Sequence, residues 1–234
     1  MLKFETQEHF RYFRFSILDF RLQSKIANQK SKMLLSCVFL MSCVLYLGCG
    51  SDPEEERISP EKDILSGWEE YRSGNYGAAI LAFEKALNRE GEAPAEPSHL
   101  ADAYNGLGWV YLGFSRSAGV NQKNIAISLG KFQEAIARDS ANADAWVGQA
   151  GSLLVRRNSQ DDLRDALKAI DNALQGDAAY LYRHDYNSEA DLYALKAQCY
   201  YQLGELDKSR KEIERVLAIE KDNSVALAMR KLLY

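Results

Sequence analysis

The sequence is poor in the residues that most enzyme chemistry requires. Only three histidines and four cysteines occur in 234 residues. No HExxH, GxSxG, Cys-x-x-Cys or phosphate-cradling glycine loop is present, so spacing identifies no catalytic residue, and no cofactor or metal is expected. Proline is absent from Ser98 to Tyr234 and threonine is absent from Cys49 onward, where twenty-seven alanines face six valines. That balance disfavours strands and favours helices. Positive charge is scarce as well: residues 49–234 hold twenty-two Lys/Arg against thirty Asp/Glu, a net charge of -8. Nucleic-acid affinity comes largely from Lys and Arg neutralising phosphates, so a nucleic acid is not expected as partner. With 47% apolar and 26% charged residues, the chain has the composition of a folded globular protein. Its length allows one domain plus a targeting segment.

The charge is unevenly distributed. Residues 1–32 carry seven Lys/Arg against three Asp/Glu, and Met33 to Gly50 (MLLSCVFLMSCVLYLGCG) carry no charge at all. A basic leader, an apolar core and small residues at its end make a secretory signal. The segment resembles a bacterial lipoprotein signal, which implies lipidation at Cys49, after Gly48. Tyr46 stands where that family usually has Leu, and Leu40-Met41-Ser42-Cys43 is a second, shorter match. The alternative is an uncleaved transmembrane helix, since eighteen apolar residues just reach the spanning range of about 17 to 25. Under both readings the basic side stays inside and the rest is exported, so the expected location is the bacterial cell envelope. Residues 1–32 are long for a leader, as a start assigned too far upstream would make them. The expected organisation is a leader and anchor over 1–48, an acidic tether over 49–59 and a folded domain over 60–234.

In that domain Cys199 is the lone cysteine. Among Ala197, Tyr200 and Tyr201 on a periodic helix it reads as a small buried hydrophobe. Two signatures alternate along the domain. Ala101-Asp102-Ala103-Tyr104, Ala143-Asp144-Ala145-Trp146 and Ala190-Asp191-Leu192-Tyr193 each open a helix. Phe83-x-x-Ala86-Leu87, Phe132-x-x-Ala135-Ile136, Ile170-x-x-Ala173-Leu174 and Ile213-x-x-Val216-Leu217 each close the next one, with an acid four residues after the Ala or Val. Successive copies lie 49, 38 and 43 residues apart, so the unit is a helix pair with connections of variable length. The first helix of each pair carries a large-small-large stripe, as in Tyr104/Gly108/Tyr111, Trp146/Ala150/Leu153 and Tyr193/Ala197/Tyr200. The small residue admits the partner helix closely. Ser59-Pro60 has the form of a helix start, with Ser as N-cap.

Leu107-Gly108-x-x-Tyr111, the run from Gly74 to Leu87 and the turn Gly204-Glu205-Leu206-Asp207 resemble the tetratricopeptide repeat. Asp63 and Glu70 replace its usual rings in the first repeat, which points that helix toward Ile64/Trp68/Tyr71. The resemblance implies an all-α, right-handed superhelix of about four helix pairs, and residues 224–233 supply the helix that caps the last pair. The stretches after Leu112 (GFSRSAGVNQKN) and before the fourth repeat (GDAAYLYRHDYN) are enlarged and are expected to loop out.

In the repeat family the first helices line a concave groove that binds peptide segments or partner loops. By register, Trp68, Tyr71, Asn105, Trp109, Leu112, Gln198 and Tyr201 fall on that face, and aromatics in a groove are typical interface anchors. The alternative is that Trp68 and Trp109 pack against neighbouring repeats, and periodicity leaves both open. His184-Asp185, near Glu189 and Asp191, has ligand or acid/base residue types. The same residues also suit a solvated loop before a Ser188 N-cap. The favoured function is a non-catalytic envelope lipoprotein that binds an envelope protein or an extended segment through its groove. The alternative is an enzyme or small-ligand receptor using the loop at Arg183-His184.

Overall fold

The structure is a computed structural model that describes residues 59–88, 96–117, 121–181 and 184–234. Cys49, the apolar segment, nearly all of the tether and Arg183 lie outside the described residues. Among the described residues there are nine α-helices and no strand. They are α1 Pro60–Ser73, α2 Tyr76–Asn88, α3 Pro97–Ser117, α4 Gln122–Arg138, α5 Ala143–Arg156, α6 Gln160–Gln175, α7 Glu189–Gln202, α8 Leu206–Ile219 and α9 Ser224–Leu233, with one 3-10 turn at Ala178–Tyr180. Each odd helix packs on the even helix that follows, and each even helix packs on the next odd one. The odd helices also touch in series, α1 to α3, α3 to α5 and α5 to α7. The result is a tetratricopeptide-like solenoid of four helix pairs capped by α9, which buries Val225, Ala226, Met229 and Leu233.

Short polar side chains start the helices. Asn121 accepts from the backbone of Lys123 and Asn124, Asn142 from Ala145, Ser159 from Asp162 and Asn223 from Ala226, each covering an orphan N–H of a first turn. Ser59 and Ser188 sit at N-cap positions as their sequence implied, but neither side chain makes a capping bond. Pro60 leaves Ser59 one fewer donor to satisfy. Ahead of α7, the Asp191 carboxylate reaches back to the Asn187 N–H at 2.8 Å.

Two turns need glycine. Gly74 and Gly204 both have φ of 79°, where a Cβ is disfavoured. In both, the glycine N–H and the N–H after it return to the preceding helix, Gly74 to Tyr71 and Asn75 to Glu70, Gly204 to Tyr201 and Glu205 to Tyr200. That closes the helix end.

The close approach at the small stripe residue is also seen, and its partner is a phenylalanine. A Cβ on Gly67 would fall 2.6 Å from the Phe83 ring and one on Gly106 2.2 Å from it. At the Phe132 ring the distances are 2.6 Å from Gly108 and 2.1 Å from Gly148. Each ring is completely buried, held between a glycine of its own pair and one of the next. In the corresponding places of the later repeats Ile170 and Ile213 replace the rings, and Ala150 and Ala197 replace the first glycine. A smaller apolar side chain there goes with a larger neighbour. Gly67 against Phe83 also shows that α1 keeps the common register. Its Asp63, standing where a ring is usual, is buried with its carboxylate 2.8 Å from Lys85 Nζ.

Both enlarged stretches depart from the expected loops. α3 does not end after Leu112 but runs on to Ser117. Gly113 lies against the Tyr76 ring, Phe114 meets that ring edge-on at 5.2 Å, and Ser115 Oγ donates to the Leu112 carbonyl. These contacts reward continuation of the helix. The stretch before α7 turns inward, and its destination is the candidate site.

Candidate functional site

Asp144, the second residue of α5, is fully buried. An ionised carboxylate in that position needs several donors, and they come from two directions. From α3, Asn105 Nδ2 donates to Oδ2 at 2.7 Å and Trp109 Nε1 to the same oxygen at 3.1 Å. From the connection between α6 and α7, Tyr186 OH donates to Oδ1 at 2.7 Å, and His184 Nε2 lies 2.9 Å from Oδ2. The Asp185 backbone N–H donates to His184 Nδ1 at 2.8 Å. That assigns the ring hydrogen to Nε2, directed at the carboxylate.

The imidazole is enclosed by aromatic rings. Trp68 stacks on it with centroids 5.0 Å apart and planes at 16°. Trp109, Tyr71 and Tyr186 meet it edge-on, at 4.5, 5.6 and 5.8 Å. Asp185 accepts from Tyr71 OH at 2.6 Å. The His184-Asp185-Tyr186 tripeptide therefore ties together α1, α3 and α5, the odd helices of the first three repeats.

The arrangement of the tryptophans repeats. Trp68 Nε1 donates to Asp102 at 3.3 Å across 34 residues, as Trp109 Nε1 donates to Asp144 across 35. The acid of each Ala-Asp-Ala motif thus holds the indole of the preceding odd helix; only the second of these motifs opens a helix as expected, since α3 begins at Pro97 and Asp102 is its sixth residue. At the next equivalent place stands Gly151, where an added Cβ would meet only Leu112, at 3.7 Å, and after it Gln198.

Of the residues placed on the groove face by register, Trp68, Tyr71, Asn105 and Trp109 converge on this cluster. Leu112, buried beside it, faces Gly151. Gln198 and Tyr201 lie half-buried on α7 in the fourth repeat, outside the cluster. The face carries the chain's own polypeptide, and that is why its tryptophans are buried. His184 is only 7% exposed, in contrast to a solvated loop, and both its ring nitrogens are engaged.

Register reasoning missed Asp144 as the polar centre of the groove, because its recurring motif looked purely structural. The signal available was the spacing of about one repeat from each tryptophan to the acid of the next Ala-Asp-Ala motif. Among the described residues no group of three or more His, Cys, Asp or Glu side chains could hold a metal ion, and no helix is long and apolar enough to cross a membrane. Cys199 is buried, and burial pushes its thiol up to about 12. At neutral pH it holds its proton and is a poor nucleophile.

Comparison with known proteins agrees with this architecture. Residues 190–223 match the family model described as tetratricopeptide repeat. A crystal structure of a thermophilic tetratricopeptide-repeat protein from Thermus thermophilus is similar in fold, with a TM-score of 0.52. The match covers 74% of this chain and 82% of that one at 22% sequence identity. No curated protein matches the chain.

Proposed function

We propose that this protein is a non-catalytic interaction module of the bacterial cell envelope. It is anchored through lipid at Cys49, and its solenoid binds another envelope protein, or an extended segment of one, on the concave face of the odd helices. The observation that carries the reading is that this face already accommodates a stretch of irregular polypeptide, gripped by Trp68, Tyr71, Trp109 and Asp144. Aromatic anchors around a polar centre are what peptide recognition requires. Helical-pair solenoids present such surfaces for protein–protein interaction and scaffolding. The rival reading, an enzyme or small-ligand receptor at Arg183-His184, draws no support from a histidine whose ring is enclosed and whose nitrogens are both occupied.

The anchor rests on the uncharged run ending in Gly48-Cys49. Several acyl chains on that residue would hold the domain firmly, whereas one binds only marginally. Fatty-acid labelling of the wild type that disappears in Cys49→Ser supports the anchor; labelling that persists moves the site to Cys43 or ends the lipoprotein reading. Crosslinking in the native envelope, followed by identification of the captured chain, tests the interaction role. A protein that crosslinks to nothing through any face defeats it.

A further inference from the structure

The connection between α6 and α7 spans 176–188, whereas the turns at 139–142, 157–159, 203–205 and 220–223 need only three or four residues. Chain connectivity therefore does not explain its length. What the extra residues accomplish is visible in their side chains: His184 and Tyr186 supply donors to Asp144, and His184 fills the space between Trp68 and Trp109. The donors stand at alternate positions of a non-helical segment, and between them the Asp185 carboxylate accepts from Tyr71 OH, so side chains rather than a helix face read the groove. The Phe83 and Phe132 layers that pack the helix pairs are formed with glycines of the odd helices and contain no residue of the segment. The glycine–phenylalanine contacts that pair the helices are thus made without the occupant, while Trp68 and Trp109 touch both those rings and His184. One polar atom in the floor is also left over. Asn105 is completely buried, and while its Nδ2 serves Asp144, its Oδ1 has no hydrogen-bond partner. The internal occupant leaves that acceptor unused, and a chain offering an N–H there would be a better fit.

We infer that the groove of α1, α3 and α5 is a binding site for an extended protein segment that presents ring-bearing hydrogen-bond donors, His or Tyr, at alternate positions, and that residues 184–186 are its internal occupant, displaced when the partner binds. This rests on the interaction role proposed above and specifies its regulation. A tethered occupant competes at an effective concentration that reaches the millimolar range for short linkers. The intact groove therefore discriminates against any weak external ligand. A partner succeeds only by out-binding the segment, and the open Asn105 acceptor is where it gains.

The test uses the intact chain and, as probe, a fluorescent synthetic peptide with the sequence of Ala178 to Ser188. Binding is read by anisotropy, with circular dichroism as the control for folding. The His184→Ala/Tyr186→Ala double variant, in which the internal contacts are weakened, is expected to bind the peptide at least tenfold more tightly than the wild type. Adding Asp144→Asn is expected to remove that binding, as is replacing the peptide's His and third Tyr (the counterparts of His184 and Tyr186) by Ala. Hydrogen exchange on the unmodified wild type supplies an independent measurement. Amides of residues 185–187 should exchange through an opening that leaves the α5 and α6 amides protected. Equal peptide affinity for wild type and double variant, a double variant that no longer folds, or exchange at 185–187 only through global unfolding would each overturn the inference. Envelope crosslinking separates the two levels: a partner captured equally well by wild type and Asp144→Asn preserves the interaction role while removing the groove.

Discussion

Replacing Gly148 by alanine adds one methyl group in the middle of α5, where alanine is otherwise the best helix former. Intrinsic propensity alone would stabilise the helix by up to about 1 kcal/mol. The new Cβ, however, would lie 2.1 Å from Phe132 Cζ and 2.2 Å from Cε1, against the about 3.5–4.0 Å at which carbon atoms pack best. Relief requires the ring to move by more than an ångström, and there is nowhere for it to go. On its other side a Cβ built on Gly108 is already only 2.6 Å from the same ring, and Trp109 meets it edge-on at 5.7 Å. Overpacking of this kind costs about 1–3 kcal/mol, and confinement on both sides places Gly148→Ala at or beyond the upper end. Net of propensity the variant should lose about 2 kcal/mol, or about 4–8 °C in Tm for a domain of this size. Gly130→Ala, mid-helix in α4 with nothing within 4 Å of its added Cβ, is the matched control and should gain up to about 1 kcal/mol. Urea unfolding of both variants measures the difference, with Phe132→Leu added to Gly148→Ala as rescue and the coupling taken from the double-mutant cycle. If Gly148→Ala is as stable as Gly130→Ala, or if Phe132→Leu brings no recovery, the glycine–phenylalanine packing does not constrain the fold as described.

The remaining predictions concern other sites. Trp109→Ala should destabilise the domain by about 3–5 kcal/mol in chemical denaturation, because it empties a buried site and removes a donor from Asp144; a stable, fully helical variant would show that the tryptophan contributes little to the fold. Asp162 receives a two-pronged contact from Arg156 at 3.0 and 2.6 Å, and this hydrogen bonding, offset in part by burial, holds its carboxyl below the ordinary carboxylate range. A lowered folded pKa means that the stabilisation is present above about pH 4 and is lost as pH falls through the folded value. Asp162→Asn should accordingly cost about 1 kcal/mol at neutral pH and flatten the acid side of the stability profile; an unchanged acid limb would refute the linkage. Cys199 should resist a thiol reagent at pH 8 in native protein and react fully in denaturant, and fast native reaction would contradict its burial.

The helix pairs were legible because each one repeats its own packing instructions. Asp139 and Glu220, each four residues after a small or branched one, end α4 and α8, Asn142 and Asn223 open α5 and α9, and a glycine or alanine sits where the neighbour must come close. Such signals are local and periodic. The groove was legible only in part. Register placed Trp68, Tyr71, Asn105 and Trp109 on one face, but the character of that face depends on a segment 75 or more residues later in the sequence. Read alone, Leu181 to Asn187 has the polarity of a solvated loop. Its donors become meaningful only opposite a buried carboxylate, and a single sequence does not show that Asp144 is buried, because the same Ala-Asp-Ala motif would serve equally well at an exposed helix start. The extension of α3 past Leu112 was hidden for the same reason, since Gly113 and Phe114 read as a turn until Tyr76 is placed beside them.

Solenoids assemble as short-range polymers, in which each repeat consults only its neighbours and growth can begin anywhere. Residues 184–186 are an exception to that economy, for Asp185 meets Tyr71 across 114 positions of chain. The entropy of closing so long a loop grows only logarithmically with its length, but the seat itself exists only after α1, α3 and α5 have stacked. Its filling therefore comes last on the folding route, however early the individual pairs form. Trp68 and Trp109, the two indoles against His184, would accordingly report in their fluorescence the completion of three repeats together, on a slower phase than the one in which far-ultraviolet dichroism records the helices.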